Sequence, residues 1–320
     1  MLISFVMPCY NEAGNVRAMH DEILRVFTGS AFEVELVYAD DGSTDETAAE
    51  LKRLHAENRL PVKVISFSRN FGKESAIYAG LEHAAGDLTV IIDADLQQPP
   101  EVALFMAQHL LRNDEYDCVC ACQEARRESK VTALLKRGFY KLMNRLTEIE
   151  FVDGASDFRC MRRSMVDAIL SMSERNRFSK GLFSWVGFST KYIPYTARER
   201  NAGSTKWNTF KLFKYAFDGI VSFSSMPLRI ASFAGVLSAA AALIYMIVVI
   251  IQKLAFDIPV PGYATIVTLI LFLGGIQLFA MGILGEYMAK AYSETKKRPI
   301  YIARTVLLPP ETQTKENAQR

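Results

Sequence analysis

Two carboxylates one residue apart, Asp93 and Asp95, follow directly on the apolar run Leu88 to Ile92. Side chains so placed in a loop can converge on one divalent cation, and hard oxygen ligands suit Mg²⁺ or Mn²⁺. Such an ion bridges a diphosphate and neutralises charge developing on a leaving group. An isolated Asp-x-Asp is a weak signal, because loops are rich in Asp. Its place after a core strand, with another acidic cluster after an earlier strand, strengthens it. That cluster is Asp40-Asp41-Gly42-Ser43-Thr44-Asp45. Ser43 or Thr44, with Asp45, accounts for an ordinary helix cap. Asp40 and Asp41 are surplus to capping, which favours hydrogen bonds to a base N–H and a ribose hydroxyl.

These clusters need a scaffold, and the pattern supplies one. Leu2 to Met7, Val34 to Ala39, Val62 to Ser66, Leu88 to Ile92 and Cys118 to Cys122 read as strands. Glu12 to Phe27, a segment from Ser43 or Thr44 to about Asn58, Lys73 to Ala85 and Pro99 to Arg112 read as helices. Strands alternating with helices predict a parallel, doubly wound α/β sheet. Ligands of such sheets bind at the carboxyl ends of the strands, where both acidic clusters fall.

The chain has 320 residues and a net charge of +2, which gives no global field for nucleic acid. Its five cysteines, Cys9, Cys118, Cys120, Cys122 and Cys160, form an odd set. The short apolar N-terminus lacks a basic flank and reads as a core strand rather than a signal peptide. Both points favour reduced thiols in a cytosolic catalytic part. The every-second-residue spacing of Cys118, Cys120 and Cys122 fits a buried strand better than a metal site. His20, His55, His83 and His109 fall on expected helices and read as surface residues.

Composition changes sharply after about residue 228. Ile230 to Gln252 is 23 residues without a charge, and Ile258 to Gly285 is 28. As helix, the first spans roughly 34 Å against a hydrocarbon core of about 30 Å. A buried helical hairpin is the bland alternative. Lys206, Lys211, Lys214 and Arg229 precede the pair, and Lys290, Lys296, Lys297 and Arg298 follow it. Both flanks are therefore expected on the cytoplasmic side. Trp207 to Phe223, with Phe210, Phe213, Phe217, Ile220 and Val221 interleaved with lysines, fits an interfacial amphipathic helix or one packed on the soluble domain. The expected organisation is a catalytic domain over 1–205, an interfacial helix over 206–227, two transmembrane helices over 228–289 and a cytoplasmic tail over 290–320. Gly274, Gly275, Gly282 and Gly285 are expected to allow close helix packing within or between subunits.

The ordered set Pro8-Cys9-Tyr10-Asn11-Glu12, Asp40-Asp41-Gly42-Ser43-x-Asp45 and Asp93-Ala94-Asp95-Leu96-Gln97-x-Pro99-Pro100 resembles glycosyltransferase family 2. The particular form is similar to the dolichyl-phosphate mannose synthase and bactoprenol glucosyltransferase branch. The likeness continues through Ser156-Asp157-Phe158-Arg159, Arg177-Phe178, Trp185-Val186-Gly187-Phe188, Arg200-x-x-Gly203 with Thr205-Lys206-Trp207, Gly285-Glu286-Tyr287 and Arg298-Pro299-x-Tyr301. Thr205 stands where Ser is expected and keeps the hydroxyl. The resemblance implies a GT-A (Rossmann-like) catalytic domain, a C-terminal two-helix transmembrane hairpin and inverting, metal-dependent sugar transfer. It implies that Pro8, Tyr10, Asn11, Glu12, Asp40, Asp41, Asp93 and Ala94 hold the nucleotide-sugar and that Asp93, Asp95 and Gln97 hold Mg²⁺ or Mn²⁺. Asp157 would sit with Asp95 at the reacting centre.

The implied acceptor is a polyprenyl phosphate, a monoester with a second pKa of about 6. It is already a good oxyanion near neutral pH, so Asp157 is expected to orient as much as to deprotonate. The acceptor needs cations, and Arg126, Arg127, Lys136, Arg137, Arg159, Arg198, Arg200 and Lys206 are candidates. Among them Arg126, Arg127, Arg137, Arg159, Arg200 and Lys206 form the expected phosphate set. UDP-glucose is the first choice of donor; N-acetylglucosamine, mannose and aminoarabinose donors stay open. The implied product is a lipid-linked sugar for a surface polysaccharide, made at the cytoplasmic face of the plasma (inner) membrane by a multi-pass protein. A homo-oligomer is compatible with the glycines. A processive synthase is disfavoured because Arg175-Asn176-Arg177-Phe178 lacks the Gln and Trp of Gln-x-x-Arg-Trp, and two helices make no channel. A non-catalytic scaffold has no use for the carboxylate set.

Overall fold

The computed structural model describes residues 1–124, 144–145, 147, 152, 154–172, 174–198, 219–256 and 262–309. Strands β1 (Leu2–Cys9), β2 (Glu33–Asp40), β3 (Val62–Phe67), β4 (Leu88–Ile91), β5 (Cys118–Gln123), β6 (Ala155–Arg162), β7 (Thr190–Tyr195) and β8 (Ala303–Leu307) form one sheet. Their order is β7-β5-β6-β4-β1-β2-β3-β8. Helices α1 (Val16–Phe27), α2 (Thr47–Glu57), α3 (Lys73–His83), α4 (Pro100–Arg112), α5 (Arg163–Ser171) and α6 (Ser179–Trp185) cover it.

Strand side chains alternate between faces, which sorts the core into two layers. Phe5, Met7, Leu36 and Tyr38 join Met19 and Ile23 of α1 and Leu51 and Leu54 of α2. Val6, Val37 and Ala39 join Ala76 and Ile77 of α3, Val166 and Ile169 of α5 and Phe183 of α6. A Cβ on Gly80 would lie 2.3 Å from Cγ1 of Val6, so a glycine is what lets α3 settle on β1.

The central β4-β1-β2-β3 segment is parallel, as the alternation predicts. The whole sheet is not. β6 runs antiparallel between β4 and β5, and β8 runs antiparallel along β3. β6, although eight residues long, carries no clean apolar period, and β8 is only five residues. β8 comes from the segment expected as a tail; it covers the β3 edge and is held by Tyr301, which stacks on Phe67 at 4.8 Å and donates to Glu82. Free edges invite unwanted pairing, and this strand removes one.

The five cysteines are free thiols, and Cys118 and Cys120 are buried in β5. His20 departs from its expected surface position: it is fully buried on α1, and burial lowers its pKa. Ser43 and Thr44 do not cap α2. α2 begins only at Thr47, its N-cap is Glu46 without a side-chain cap bond, and Asp45 accepts from the Thr47 N–H at 3.0 Å just before it.

A second compact unit holds α7 (Met226–Phe256) and α8 (Tyr263–Thr295). Their membrane-length segments, Met226–Gln252 and Thr265–Thr295, have mean hydropathies of 2.6 and 2.3 and are not buried inside the protein. Helices apolar all round and outside any core belong in lipid. The two helices pack on each other. At one end Tyr287 Oη donates to the Ser224 carbonyl at 2.6 Å, and Lys290 Nζ to Ser222 Oγ at 3.0 Å. α8 continues past the expected boundary at 289. A Cβ at Gly274, Gly275, Gly282 or Gly285 would meet nothing within 4 Å, so packing within the hairpin does not require these glycines. Residues 219–223 are helical; the rest of the expected interfacial helix up to 218 lies outside the described residues.

Candidate active site

The carboxyl ends of β1, β2 and β4 lie side by side, because these strands are parallel and in register: Cys9 faces Asp40, and Val6 faces Ile91. In the antiparallel pair of β4 and β6, Leu88 faces Arg162 and Ile91 faces Arg159. Continuing that register two residues sets Asp93 opposite Asp157. The fold thus brings together residues 64 positions apart that sequence reading assigned to metal and catalysis.

A residue absent from the sequence expectation joins them. Lys73, the first residue of α3, places its Nζ 2.8 Å from Asp93 Oδ1, 3.0 Å from Asp93 Oδ2 and 3.1 Å from Asp157 Oδ2. A lysine at a helix N-terminus opposes the macrodipole. That local conflict is the one signal in the sequence that could have pointed to it. Burial works against both charges, but the opposite charges outweigh it. Lys73 is held well above its ordinary range by Asp93 and Asp157. Asp157 is pulled down to about 2 by Lys73, Lys180 and Arg159.

The acidic loops are built around this centre. Gln98 buttresses Asp93, accepting its backbone N–H at 2.8 Å and donating to Oδ2 at 3.3 Å. Asp95 is buried and accepts from the Gln97 N–H at 3.1 Å. Leu96 between them has a φ of +63°, uncommon for a residue with a Cβ and a mark of a tightly constrained turn. Ala94 is buried beneath the loop. The Gln97 carbonyl accepts from the Arg198 N–H. Gln97 is thus fixed by its backbone in the loop of Asp93 and Asp95.

The expected nucleotide residues fall into two groups. Pro8, Tyr10 and Glu12 line the end of β1, with Tyr10 exposed. The Glu12 carboxylate accepts from Asn15 Nδ2 at 2.6 Å. Asn11, with a φ of +57°, ties the loop after β1 to the Asp40–Asp45 loop: its N–H donates to Ser43 Oγ, and its Oδ1 accepts from the Thr44 N–H, both at 2.9 Å. Asp40 accepts from the Ser43 N–H at 3.0 Å.

Asp41 is turned to a structural task. It is buried, and its carboxylate accepts from the Phe71 N–H at 2.6 Å and the Gly72 N–H at 2.9 Å. Burial raises its pKa, against those two hydrogen bonds. Gly42 lies against the same loop: with a φ of +67°, a Cβ there would sit 2.5 Å from the Arg69 carbonyl carbon. Asp41 therefore holds the turn from which Lys73 projects. The next residue, Glu74, accepts from the Ser179 N–H at 2.8 Å and from its hydroxyl, fixing the start of α6 and with it Lys180.

Arg159 does not present itself to an acceptor phosphate. Its side chain is buried, its guanidinium lies 3.7 Å over the Phe183 ring, and Nη2 donates to the Ser156 carbonyl at 2.8 Å. It props up the segment that carries Asp157. Arg198 is likewise engaged on the surface, with Glu22 and Glu101. Arg126, Arg127, Lys136, Arg137, Arg200 and Lys206 lie outside the described residues.

The residues fit a divalent ion. Among the described residues there is no group of three or more His, Cys, Asp and Glu side chains placed to hold one. An Mg²⁺-type site needs only one or two carboxylates, because substrate phosphates and water complete it. Asp93 and Asp95 meet that need, and the Lys73 ammonium already marks Asp93 as a place that attracts positive charge.

Residues 4–170 match the family model "Glycosyl transferase family 2", and residues 226–291 match "GtrB C-terminal hairpin". The chain belongs to glycosyl transferase family 2. It is 42% identical to the putative glycosyltransferase CsbB of Bacillus subtilis, over 100% of this chain and 97% of the relative. It is 41% identical to a prophage bactoprenol glucosyl transferase homolog of Escherichia coli, over 96% and 99%. It is 40% identical to the bactoprenol glucosyl transferase of Shigella phage SfV, over 94% and 98%. The protein is a membrane-associated glycosyltransferase, with a GT-A catalytic domain and a C-terminal helical hairpin. In this glycosyltransferase the mixed sheet has a direct use: the antiparallel β6 carries Asp157 to the loop of Asp93 and Asp95.

Proposed function

We propose that this glycosyltransferase moves glucose from UDP-glucose to a polyprenyl phosphate at the cytoplasmic face of a membrane, with inversion. The observation that carries the reading is the pairing of Asp93 and Asp157 on one Lys73 ammonium, in a chain that also carries an apolar hairpin. A charged donor site suits a nucleotide diphosphate, and a lipid-embedded hairpin suits an acceptor that never leaves the bilayer. Full-length relatives named bactoprenol glucosyl transferases support the sugar and the lipid. The basic flanks on both sides of the hairpin support a cytoplasmic catalytic domain.

In this reading Asp93 and Asp95, with Gln97 beside them, hold Mg²⁺ or Mn²⁺ against the donor diphosphate. The ion supplies Lewis-acid stabilisation of the leaving nucleoside diphosphate. Tyr10 and Asp40 face the nucleoside, while Asn11 and Asp41 hold the loops in shape. Asp157, held ionised, orients donor and acceptor; a carboxylate with a pKa of about 2 is a weak base, and a phosphate monoester needs none. Arg126, Arg127, Arg137, Arg200 and Lys206 are the proposed cations for the acceptor phosphate.

The test is a donor panel. Purified full-length protein in lipid receives undecaprenyl phosphate, Mn²⁺ and radiolabelled UDP-glucose, UDP-N-acetylglucosamine, GDP-mannose or a UDP-aminoarabinose, and the lipid fraction is chromatographed. Label from UDP-glucose alone on a mild-acid-labile lipid supports the proposal. Label from another donor corrects the sugar, and label found only in free sugar removes the lipid acceptor.

A further inference from the structure

We propose that Lys73 is a resident counter-cation that competes with divalent metal for Asp93, so that metal binds tightly only together with the nucleotide. The inference rests on the reading of Asp93 as a metal ligand. Its basis is geometric. Both oxygens of Asp93 lie within 3.0 Å of the Lys73 ammonium, so an ion cannot take that carboxylate without displacing Nζ or sharing the oxygens with a like charge. The ammonium also bridges to Asp157, and one positive charge thus serves two carboxylates. Lys180 and Arg159 add positive charge near Asp157, so Lys73 is the cation that Asp157 shares with Asp93 rather than the sole positive charge of the mouth.

The arrangement is held from behind and open in front. Asp41 fixes the Phe71 and Gly72 N–H groups, which sets the origin of the lysine stem. The stem itself is about half exposed and flexible, free to swing away from Asp93. An arriving diphosphate brings its own negative charge, to which a displaced ammonium can turn while it keeps Asp157. Metal and nucleotide binding are then thermodynamically coupled, and by linkage each strengthens the other equally. Coordination of the ion by the diphosphate couples the two sites by itself; the part due to Lys73 is the increment that its removal takes away, and a lysine placed for fold stability alone would contribute none.

Mn²⁺ binding to full-length protein in detergent, followed by electron paramagnetic resonance of the free ion, tests this without turnover. In the wild type, UDP should tighten Mn²⁺ binding roughly ten-fold or more. Lys73→Met should bind Mn²⁺ about ten-fold tighter than wild type in the absence of nucleotide, and the gain from UDP should shrink. Asp93→Asn should lose Mn²⁺ binding in both states. Thermal melts establish folding, and Lys73→Gln replaces Lys73→Met if that variant fails to fold. Equal or weaker Mn²⁺ binding by the lysine variant, with Asp93→Asn defective, overturns the counter-cation role alone. Undiminished binding by Asp93→Asn overturns the metal-ligand reading and the inference with it.

Discussion

Two lysines in this domain each meet carboxylates, at opposite ends of the central strands, and they differ in what surrounds them. Lys63 on β3 pairs with Glu35 on β2 at 2.9 Å, with both side chains 6% exposed. Glu35 also accepts from Ser4 Oγ and the Ala85 N–H, and Lys63 also donates to the His83 carbonyl at 2.8 Å. One charge meets one charge, and the pair is closed off. Lys73 is 46% exposed and stands between Asp93 and Asp157, whose side chains are 30% and 18% exposed. One charge meets two, in the open. A neutral, saturated ion pair fixes structure, because removing one partner strands a buried charge. An unbalanced and accessible one is a site waiting for a ligand.

The contrast gives predictions of decreasing size. Asp157→Asn should cut transfer by about 10³-fold with only a modest fall in melting temperature from the lost ion pair, since the side chain orients reacting groups rather than filling the core. Lys63→Met should do the reverse. It should cost about 3–5 kcal/mol of stability, read by denaturant unfolding, with transfer per folded molecule retained. Combining it with Glu35→Leu should recover much of that loss, because no charge is then left alone. A large activity loss in folded Lys63→Met would erase the distinction between the two pairs.

Asp41→Asn lies between these cases. Oδ1 accepts from both N–H groups, but an amide replaces Oδ2, the nearer acceptor of the Gly72 N–H, with an NH₂ donor, so the Gly72 turn should loosen. Donor KM should rise by roughly ten-fold, with a smaller change in kcat. The smallest effect concerns pH. The folded pKa of Asp157, about 2, lies below its ordinary 3.8, so its charged form contributes to stability above about pH 4 and loses that contribution as pH falls toward 2. It should therefore leave no inflection in the rate between pH 5 and 8. The acid limb of kcat/KM for the acceptor should instead fall near pH 6, where the lipid phosphate takes up its second proton.

Much of this was readable from residue order. Apolar runs gave the parallel strands, and the position of Asp93 and Asp95 after β4 located the loop that Lys73 joins to Asp157. The two uncharged stretches marked the hairpin. Long-range pairing was not readable. β6 reaches Asp93 only through its antiparallel register with β4, and β8 pairs with a strand more than two hundred residues away. Asp41 looked like a nucleotide ligand because its type and place fit one, and only the Phe71 and Gly72 N–H groups reveal its use. Lys73 was overlooked because a lysine at the start of a helix reads as solvated surface. Arg159 lies two residues from Asp157 and so on the same face of β6, but its guanidinium is buried over the Phe183 ring and bonded to the Ser156 carbonyl, which no residue pattern discloses.

The central claim is that Asp93 and Asp157 form one donor site for sugar transfer to a lipid phosphate. The most direct measurement is initial-rate transfer from UDP-glucose to undecaprenyl phosphate by wild type, Asp93→Asn, Asp157→Asn and the double variant, each matched for folded protein by its melt. The account predicts a loss of about 10³-fold in each single variant and little further loss in the double, since two parts of one machine fail together. Near-wild-type transfer in either single variant, or losses that multiply in the double, would contradict a shared site.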